Sequence, residues 1–533
     1  MDGDRAPLSG RAGRPALAAV PLAFLAVFFA WPLVAILERS LVLDGRLDLP
    51  LDVLTSSSTL EVAWFTTWQA AVSTVLAVVA GLPLAWAIAR FSFPGRRLAE
   101  ALVLVPFVLP TVVVATAFVA LLPDGVERSV WAILLAHVFF NVAVVVRLVG
   151  SYWSGLDARA WDAAATLGAG PARRFRSLTL PALAPALAAA ASIVFLFCFT
   201  SFGVILILGG PRYATLETEI YNQAARAFDL RTAAALALLQ LAAVALVVAV
   251  AGRLERRLGG SRSARRARAR RPSGRERAWV ALAVGGTLGL LALPPATLVE
   301  RSLAVPGGHG LDHYRRLAEQ TPALLVTPWH AILNSLLFAT LAASIALAVG
   351  IPAAVLAVRA AGGVLDTLVM LPLGASAAML GFGFLLAFAD PPLDLRGTIW
   401  LVPVAQALVA TPFVVRSLAP ALRSVDPRLR EAAAVLGASP ARVRREIDLP
   451  LAARGLAVAA GLAFAIALGE FGATVFVARA EWPTLPVAIF RFLGRPGAEN
   501  VGQAMALCVV LMSLTAVGAI AADRVLGRGR WRT

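Results

Sequence analysis

EAAAVLGASPARVRREIDLP, Glu431–Pro450, and DAAATLGAGPARRFRSLTLP, Asp162–Pro181, are two versions of one segment. Both are polar and Arg-rich within a chain that is otherwise mostly apolar. Glu431-Ala432-Ala433 is expected to open a short helix, with its acid near the positive end of the helix dipole. Gly437 is expected to end that helix after two turns, because Gly accepts the left-handed conformation that closes a helix. Ser439-Pro440 then starts a second helix, Ser at the capping position and Pro just inside it. Gly170-Pro171 does the same in the other version. Leu449-Pro450 and Leu180-Pro181 open the apolar runs that follow. The segment therefore predicts a helix–turn–helix lying on one membrane face, too short and polar to cross. Its small residues, Ala432, Ala433 and Gly437 or Ala163, Ala164 and Gly168, would admit another protein surface closely.

The two versions belong to a longer repeat. At an offset of 269 residues, Gly81 falls on Gly350, Pro83 on Pro352, Arg90 on Arg359, Arg147 on Arg416 and Asp157 on Asp426. Beyond the segment, Phe202-Gly203 falls on Phe471-Gly472 and Thr215-Leu216 on Thr484-Leu485. Pro106 meets Pro372 only at an offset of 266, so a local length difference of three lies nearby. One register held from 81 to 216 marks a duplicated half. The halves are expected at 1–252 and 278–533, joined by an Arg-rich linker at 253–277.

Around the segments lie runs long enough to cross a bilayer. The 533 residues are 59% hydrophobic and only 15% charged, with mean hydropathy +0.80; soluble domains carry about 25% charge. At about 20 apolar residues per crossing, the runs Pro15–Leu37, Thr67–Ala89, Leu102–Leu122, Val130–Val149, Pro181–Leu208 and Thr232–Gly252 predict six spans. Trp279–Glu300, Trp329–Val358, Val364–Phe388, Thr398–Val415, Pro450–Phe476 and Gly502–Ala522 predict six more. Runs of this length must be helices, since lipid offers no partner to backbone N–H and C=O groups. Six spans per half place the halves in parallel, related by a pseudo-twofold axis along the membrane normal. The first run follows Arg5, Arg11 and Arg14 but ends in no small-residue cleavage site, so it reads as an uncleaved span.

Charge sets the expected orientation. The chain has no Lys, so all 48 basic residues are Arg, against 31 acids, for a net charge of +17. With both termini cytoplasmic, 35 Arg fall on the inside and 13 outside, as the positive-inside rule requires. The surplus is thus topological, and no nucleic-acid partner is expected. The linker holds 11 of these Arg, with Glu255 and Glu276 as its acids. It reads as a cytoplasmic tether in contact with anionic membrane lipid.

Several chemistries are excluded. Without Lys the chain can build neither a phosphate-cradling P-loop nor a Schiff base, so no cofactor is expected on it. Cys198 and Cys508 lie in apolar runs and read as small buried hydrophobes. His137, His309, His313 and His330 are scattered, so no metal site is expected. No cluster of acids and His at one depth points to a catalytic residue, and the chain is not expected to be an enzyme.

Glu-Ala-Ala, three residues, Gly, nine residues, Ile-x-Leu-Pro resembles the signature loop of binding-protein-dependent ABC importer permeases. Glu431, Ala432, Ala433, Gly437, Ile447, Leu449 and Pro450 match it fully; in the first version Asp162 replaces Glu and Leu178 replaces Ile, while Ala163, Ala164, Gly168, Leu180 and Pro181 match. The resemblance covers about 67–258 and 336–525. It implies an all-α fold of about 12 transmembrane helices, the type I importer permease, here as a fused double permease in the cytoplasmic (inner) membrane. It also implies that the two loops are the coupling helices, docking two copies of a cytoplasmic ABC ATPase that carries the ATP. An extracytoplasmic binding protein would deliver the solute.

Fused double permeases resemble the thiamine and ferric-iron importers. Cys198–Leu241, with GGP-x-x-ATLE-x-x-IY at Gly209–Tyr221, looks most like the thiamine type. GEFGATVFVA, Gly469–Ala478, is shared more widely, molybdate and sulfate permeases included. Thiamine is therefore the first cargo expected, ferric iron the second and an oxyanion the third. Glu470 is the one acid expected well inside a span, as a cation contact, as a helix-end carboxylate near the interface, or as one paired within the bundle. With Phe471 and their first-half counterparts Ser201 and Phe202, it forms the candidate pathway. An ion-coupled secondary transporter is the alternative of another class. It would need more intramembrane charge and would leave the paired loops unexplained.

Overall fold

The computed structural model describes residues 13–43, 45–156, 158–210, 212–258, 269–359, 364–389, 391 and 393–527. Arg5, Arg11, Asp157 and linker residues 259–268 lie outside them. Strand among the described residues is confined to two small hairpins, Val42–Leu43 with Arg46–Leu47 and Ala304–Val305 with Gly308–His309.

Helices make up most of the rest. In chain order they are α1 (Leu17–Leu41), α2 (Ser57–Arg90), α3 (Arg96–Val108 and Thr111–Leu121), α4 (Val130–Ser154), α5 (Pro171–Phe199) and α6 (Leu230–Leu254). The second set is α7 (Arg275–Leu303), α8 (Pro328–Val358), α9 (Thr367–Gly374 and Ala377–Ala387), α10 (Leu401–Arg423), α11 (Pro450–Gly469) and α12 (Ala498–Gly518). Ten are long and apolar enough to cross a membrane singly, and α3 and α9 are bent pairs that would raise the number to 12. The repeat reaches further back than the sequence register showed. The small hairpins directly follow the first helix of each half, α1 and α7.

The spans expected at Leu102–Leu122 and Val364–Phe388 are sharply bent. α3 turns by 100° and α9 by 99°. In α3 the cause is Pro110, which lacks an N–H and holds Leu109 extended at φ −64°, ψ 133°. In α9 no proline sits at the corner. Ser376, extended at φ −70°, ψ 148°, caps the next helix by accepting the Met379 N–H at 3.0 Å. Two chemistries make the same corner.

The helices pack as two compact units that interleave along the chain. One comprises 1–50, 220–234 and 311–533; the other comprises 51–219 and 235–310. Within the first, α1 lies against α8 and the second arm of α9. Within the second, α7 lies against α2 and the second arm of α3. Each sequence half thus contributes its first span to the unit that holds the other half's repeat.

The centre of each unit is built alike. α2 presents Ala70, Ser73, Ala77, Gly81 and Ala85 to α4 at helical spacing. α8 buries Ala339, Ala342, Ala346, Gly350 and Ala353, also at helical spacing, with Gly350 against Val414 of α10. Small stripes let helix axes approach closely where lipid supplies no hydrophobic drive. A Cβ at Gly81 would stand 2.8 Å from Val145, and one at Gly350 would stand 2.6 Å from Val414, so the matched glycines sit at matched close approaches. A further pair agrees: the Leu216 N–H donates to Thr66 Oγ1 at 3.0 Å, and the Leu485 N–H to Ser335 Oγ at 2.6 Å.

Candidate functional site

Each unit carries one version of the polar segment, and their helices have the same bounds at the repeat offset. The first version holds helix Ala158–Thr166 and the second version holds helix Pro427–Val435. The second begins four residues before Glu431, which corrects the expectation that Glu431 opens it. Asp426 is the cap, accepting the Arg428 N–H at 2.9 Å, and Pro427 follows in the first turn. Asp and Pro are both start signals, so Glu431 falls in the second turn.

Gly168 and Gly437 end these helices at φ +78° and +79°. In the first, Gly168 N–H donates to Ala165 O and Ala169 N–H to Ala164 O, both at 3.0 Å. In the second, Gly437 N–H donates to Ala434 O and Ala438 N–H to Ala433 O, again at 3.0 Å. This is the Schellman pattern that closes a helix on a left-handed residue. A Cβ at either glycine would meet nothing in this chain. Only the backbone angle opposes a side chain there.

Asp162, Ala163 and Gly168 are exposed, as are Glu431, Ala432 and Gly437, while Ala164 and Ala433 are half-buried. The residues before the glycines went unnoticed in the sequence. Leu167 is 87% exposed, Leu436 86% and Val435 87%. Leucines this bare at a tight polar turn form an apolar tip.

Past the turn the chain does not make a separate second helix. Pro171–Phe199 runs unbroken, and 440–469 is likewise helical throughout. Pro181 and Pro450 lack the N–H an ordinary helix would use, and one wide turn absorbs each. The Leu180 N–H reaches back to Phe175 O across the wide turn Phe175–Thr179, and Arg444–Asp448 is the equivalent turn. Leu180, Pro181 and Pro450 are exposed and Ile447 is half-buried; the side chain of Leu449 lies outside the described residues.

The pathway candidates sit where the spans break off. α5 ends at Phe199, and Ser201 and Phe202 lead into helix Gly203–Leu208. Ser201 Oγ lies 2.9 Å from His137 Nε2, whose Nδ1 lies 3.0 Å from Ser73 Oγ. Nearby, Asn141 donates to His137 O at 2.9 Å, and Gln69 donates to Cys198 O at 3.0 Å. In the other unit α11 ends at Gly469, followed by Glu470 and Phe471. Glu470 is buried but occupied: it accepts the Ala473 N–H at 2.7 Å, the Thr474 N–H at 3.0 Å and the Thr474 hydroxyl. Phe471 packs on Phe490 at 5.5 Å.

One buried acid was missed. Glu217 is fully buried and accepts from Gln240 Nε2 at 3.0 Å. It belongs to the ATLE stretch, but its short helix, Leu216–Asn222, lies between apolar runs, so span-by-span inspection passed over it. No group of three His, Cys, Asp or Glu able to hold a metal occurs among the described residues.

The family model described as the binding-protein-dependent transport system inner membrane component matches twice, over residues 77–260 and 346–530. The matches start 269 residues apart, the offset of the internal repeat. The thiamine transport system permease protein ThiP of Brucella abortus (strain 2308) is 31% identical over 553 residues, spanning 98% of this chain and 97% of that protein. ThiP of Escherichia coli (strain K12) is 28% identical over 485 residues, spanning 85% of this chain and 87% of that protein. The putative 2-aminoethylphosphonate transport system permease protein PhnV of Salmonella paratyphi A is 32% identical over 246 residues, 44% of this chain and 89% of that protein.

Proposed function

Because this chain belongs to the family of inner membrane components of binding-protein-dependent transport systems, we propose that it is the fused permease of a thiamine importer. Full-length similarity to thiamine permeases carries the cargo reading; similarity to the aminoethylphosphonate permease spans one half only. In this reading an extracytoplasmic binding protein delivers thiamine, and two copies of a cytoplasmic ATPase drive its passage. Asp162–Gly168 and Glu431–Gly437 receive one ATPase copy each.

What supports the docking role is the pair of bare Leu-Gly tips, Leu167-Gly168 and Leu436-Gly437, each closing a rigid helix on the surface. A partner can bury such a leucine against apolar surface for about 2 kcal/mol. Because α5 and α11 continue directly from the loops, a push on a tip is carried along a stiff rod to the break at Ser201-Phe202 or Glu470-Phe471. These four residues border the route of the solute. Glu470 acts there by holding the break in shape, since both its oxygens are taken by residues 473 and 474. Ser201 has a polar neighbour in His137 instead, so the two breaks offer the solute different chemistry.

The test is uptake in a strain lacking the gene, complemented or not, with labelled thiamine and labelled ferric iron measured side by side. Thiamine uptake restored by the complementing gene is the expected result. Restored iron uptake with no effect on thiamine would reverse the cargo. No effect on either would remove the importer reading.

A further inference from the structure

The Arg-rich linker returns to the described structure at Ala269, and at Arg270 it is pinned. The Ser92 N–H donates to Arg270 O at 2.9 Å, and the Arg270 N–H donates to Arg90 O at 3.2 Å. The two strands of chain thus form a parallel bridge between Phe91 and Arg270. The Arg270 guanidinium lies 4.9 Å from the Phe91 ring centre, within cation–π range. It also donates through both terminal nitrogens to Glu276, one at 2.7 Å. Glu276 is held in turn by the Ser273 N–H at 3.1 Å. Phe91 is buried beside Val280 of α7 and Ala87 of α2, so the anchor is fixed to the body of the unit.

The anchor adjoins the first loop. Trp161, the residue before Asp162, is flanked by two guanidinium groups, Arg90 at 5.2 Å and Arg174 at 4.7 Å from its ring centre. Arg174 also donates to Trp161 O at 3.5 Å. Arg90 is the residue whose carbonyl receives the linker. Asp162 lies within electrostatic reach of both Arg90 and Arg270. The hydrogen bond to Glu276, reinforced by the charges of Glu276 and Asp162, raises the guanidinium of Arg270 above its ordinary pKa, so it is a fixed cation.

The second loop is held differently. Arg430 stands where Trp161 stands in the first. It donates to Asp448 Oδ1 at 2.7 Å and to Leu422 O at 3.3 Å. Both partners belong to its own repeat.

We propose that the linker is a working part of the first coupling loop: the Arg270 side chain, seated on Phe91 and Glu276, locks the backbone bridge that holds Arg90, and Arg90 with Arg174 holds Trp161 and so fixes Asp162–Gly168 for docking. The proposal rests on the docking role given to that loop above. It makes the two loops unequal, since tension or binding on the linker would be felt at the first and not at the second. Arg270 and Arg90 are positioning residues.

The experiment uses the full chain in lipid nanodiscs without partners. Hydrogen exchange is followed over 158–170 and 427–440 in the wild type, Arg270→Ala, Arg270→Lys and the neighbouring Arg271→Ala. Arg270→Ala is expected to speed exchange over 158–170 about fivefold, from loss of the brace, with 427–440 unchanged. Arg270→Lys should fall between, because an ammonium keeps the charge but not the two-pronged pairing. Unaltered exchange at 158–170, or equal acceleration of both segments, would overturn the proposal. A second readout separates a brace from a merely structural contact: in proteoliposomes with the ATPase, the binding protein, thiamine and MgATP, Arg270→Ala should raise the ATP hydrolysed per thiamine carried. An unchanged ratio overturns the working role. If the wild type carries no thiamine, the transport reading fails while the exchange result still decides the brace.

Discussion

Gly437 stands at φ +79° with open space where a Cβ would be, so its chain tolerates a side chain better than a partner would. Asn and Asp enter the left-handed region more readily than other residues. Gly437→Asn and Gly437→Asp should therefore keep the helix end, insert in the membrane and unfold within a few degrees of wild type. Uptake should still fall by about tenfold or more, which corresponds to 1.4 kcal/mol of lost docking. Transport assays on vesicles with matched permease content check this, and full uptake by both variants would take the loop out of coupling. These glycines were legible because few residues end a helix this way. The bare leucines beside them were not, since Leu in an apolar chain carries no mark of exposure until the turn is built. Glu470 shows the converse. Its rarity drew attention, but only the geometry reveals that Ala473 and Thr474 occupy it.

At the scale of elements, a span is legible from apolar length, and its corner depends on one or two residues. Pro110 announces the bend in α3, whereas Ser376 makes the same bend in α9 with an ordinary cap, which sequence alone does not distinguish from a serine inside a helix. The start at Asp426-Pro427 carried a clear signal that the Glu-Ala-Ala motif overshadowed. Helix contacts are more predictable. Gly81 and Gly350 share one register and one neighbour type, so adding a methyl group should meet the same obstacle twice. Gly81→Ala and Gly350→Ala should each destabilise the protein by about 1–3 kcal/mol through overpacking. Val145→Ala and Val414→Ala, respectively, should recover part of that loss by vacating the space. Thermal unfolding of the purified variants, monitored by size-exclusion chromatography, checks both cycles. Equal destabilisation with and without the second change would mean that the close approach at the glycine is not what limits the packing.

For the whole molecule, the duplication was legible and the interleaving was not. Apolar spans are chemically alike, so nothing in α1 or α7 says which repeat it packs against. The side of the membrane, by contrast, follows from counting. If α9 crosses once, six crossings separate the two loops and both emerge on one face. If it does not cross, five separate them and the loops emerge on opposite faces. The proposed docking of two copies of one ATPase needs the first count, and the excess of Arg near both loops is what the positive-inside rule expects of a cytoplasmic face. Ala165→Cys and Ala434→Cys place thiols at matched exposed positions, while the native Cys198 and Cys508 are buried. A membrane-impermeant maleimide should label both new thiols in inside-out vesicles and neither in right-side-out ones. Labelling of the two from opposite sides would make α9 re-entrant and would leave one loop with no ATPase to meet. Labelling of both only from the outside would reverse the orientation and end the coupling role of the loops altogether.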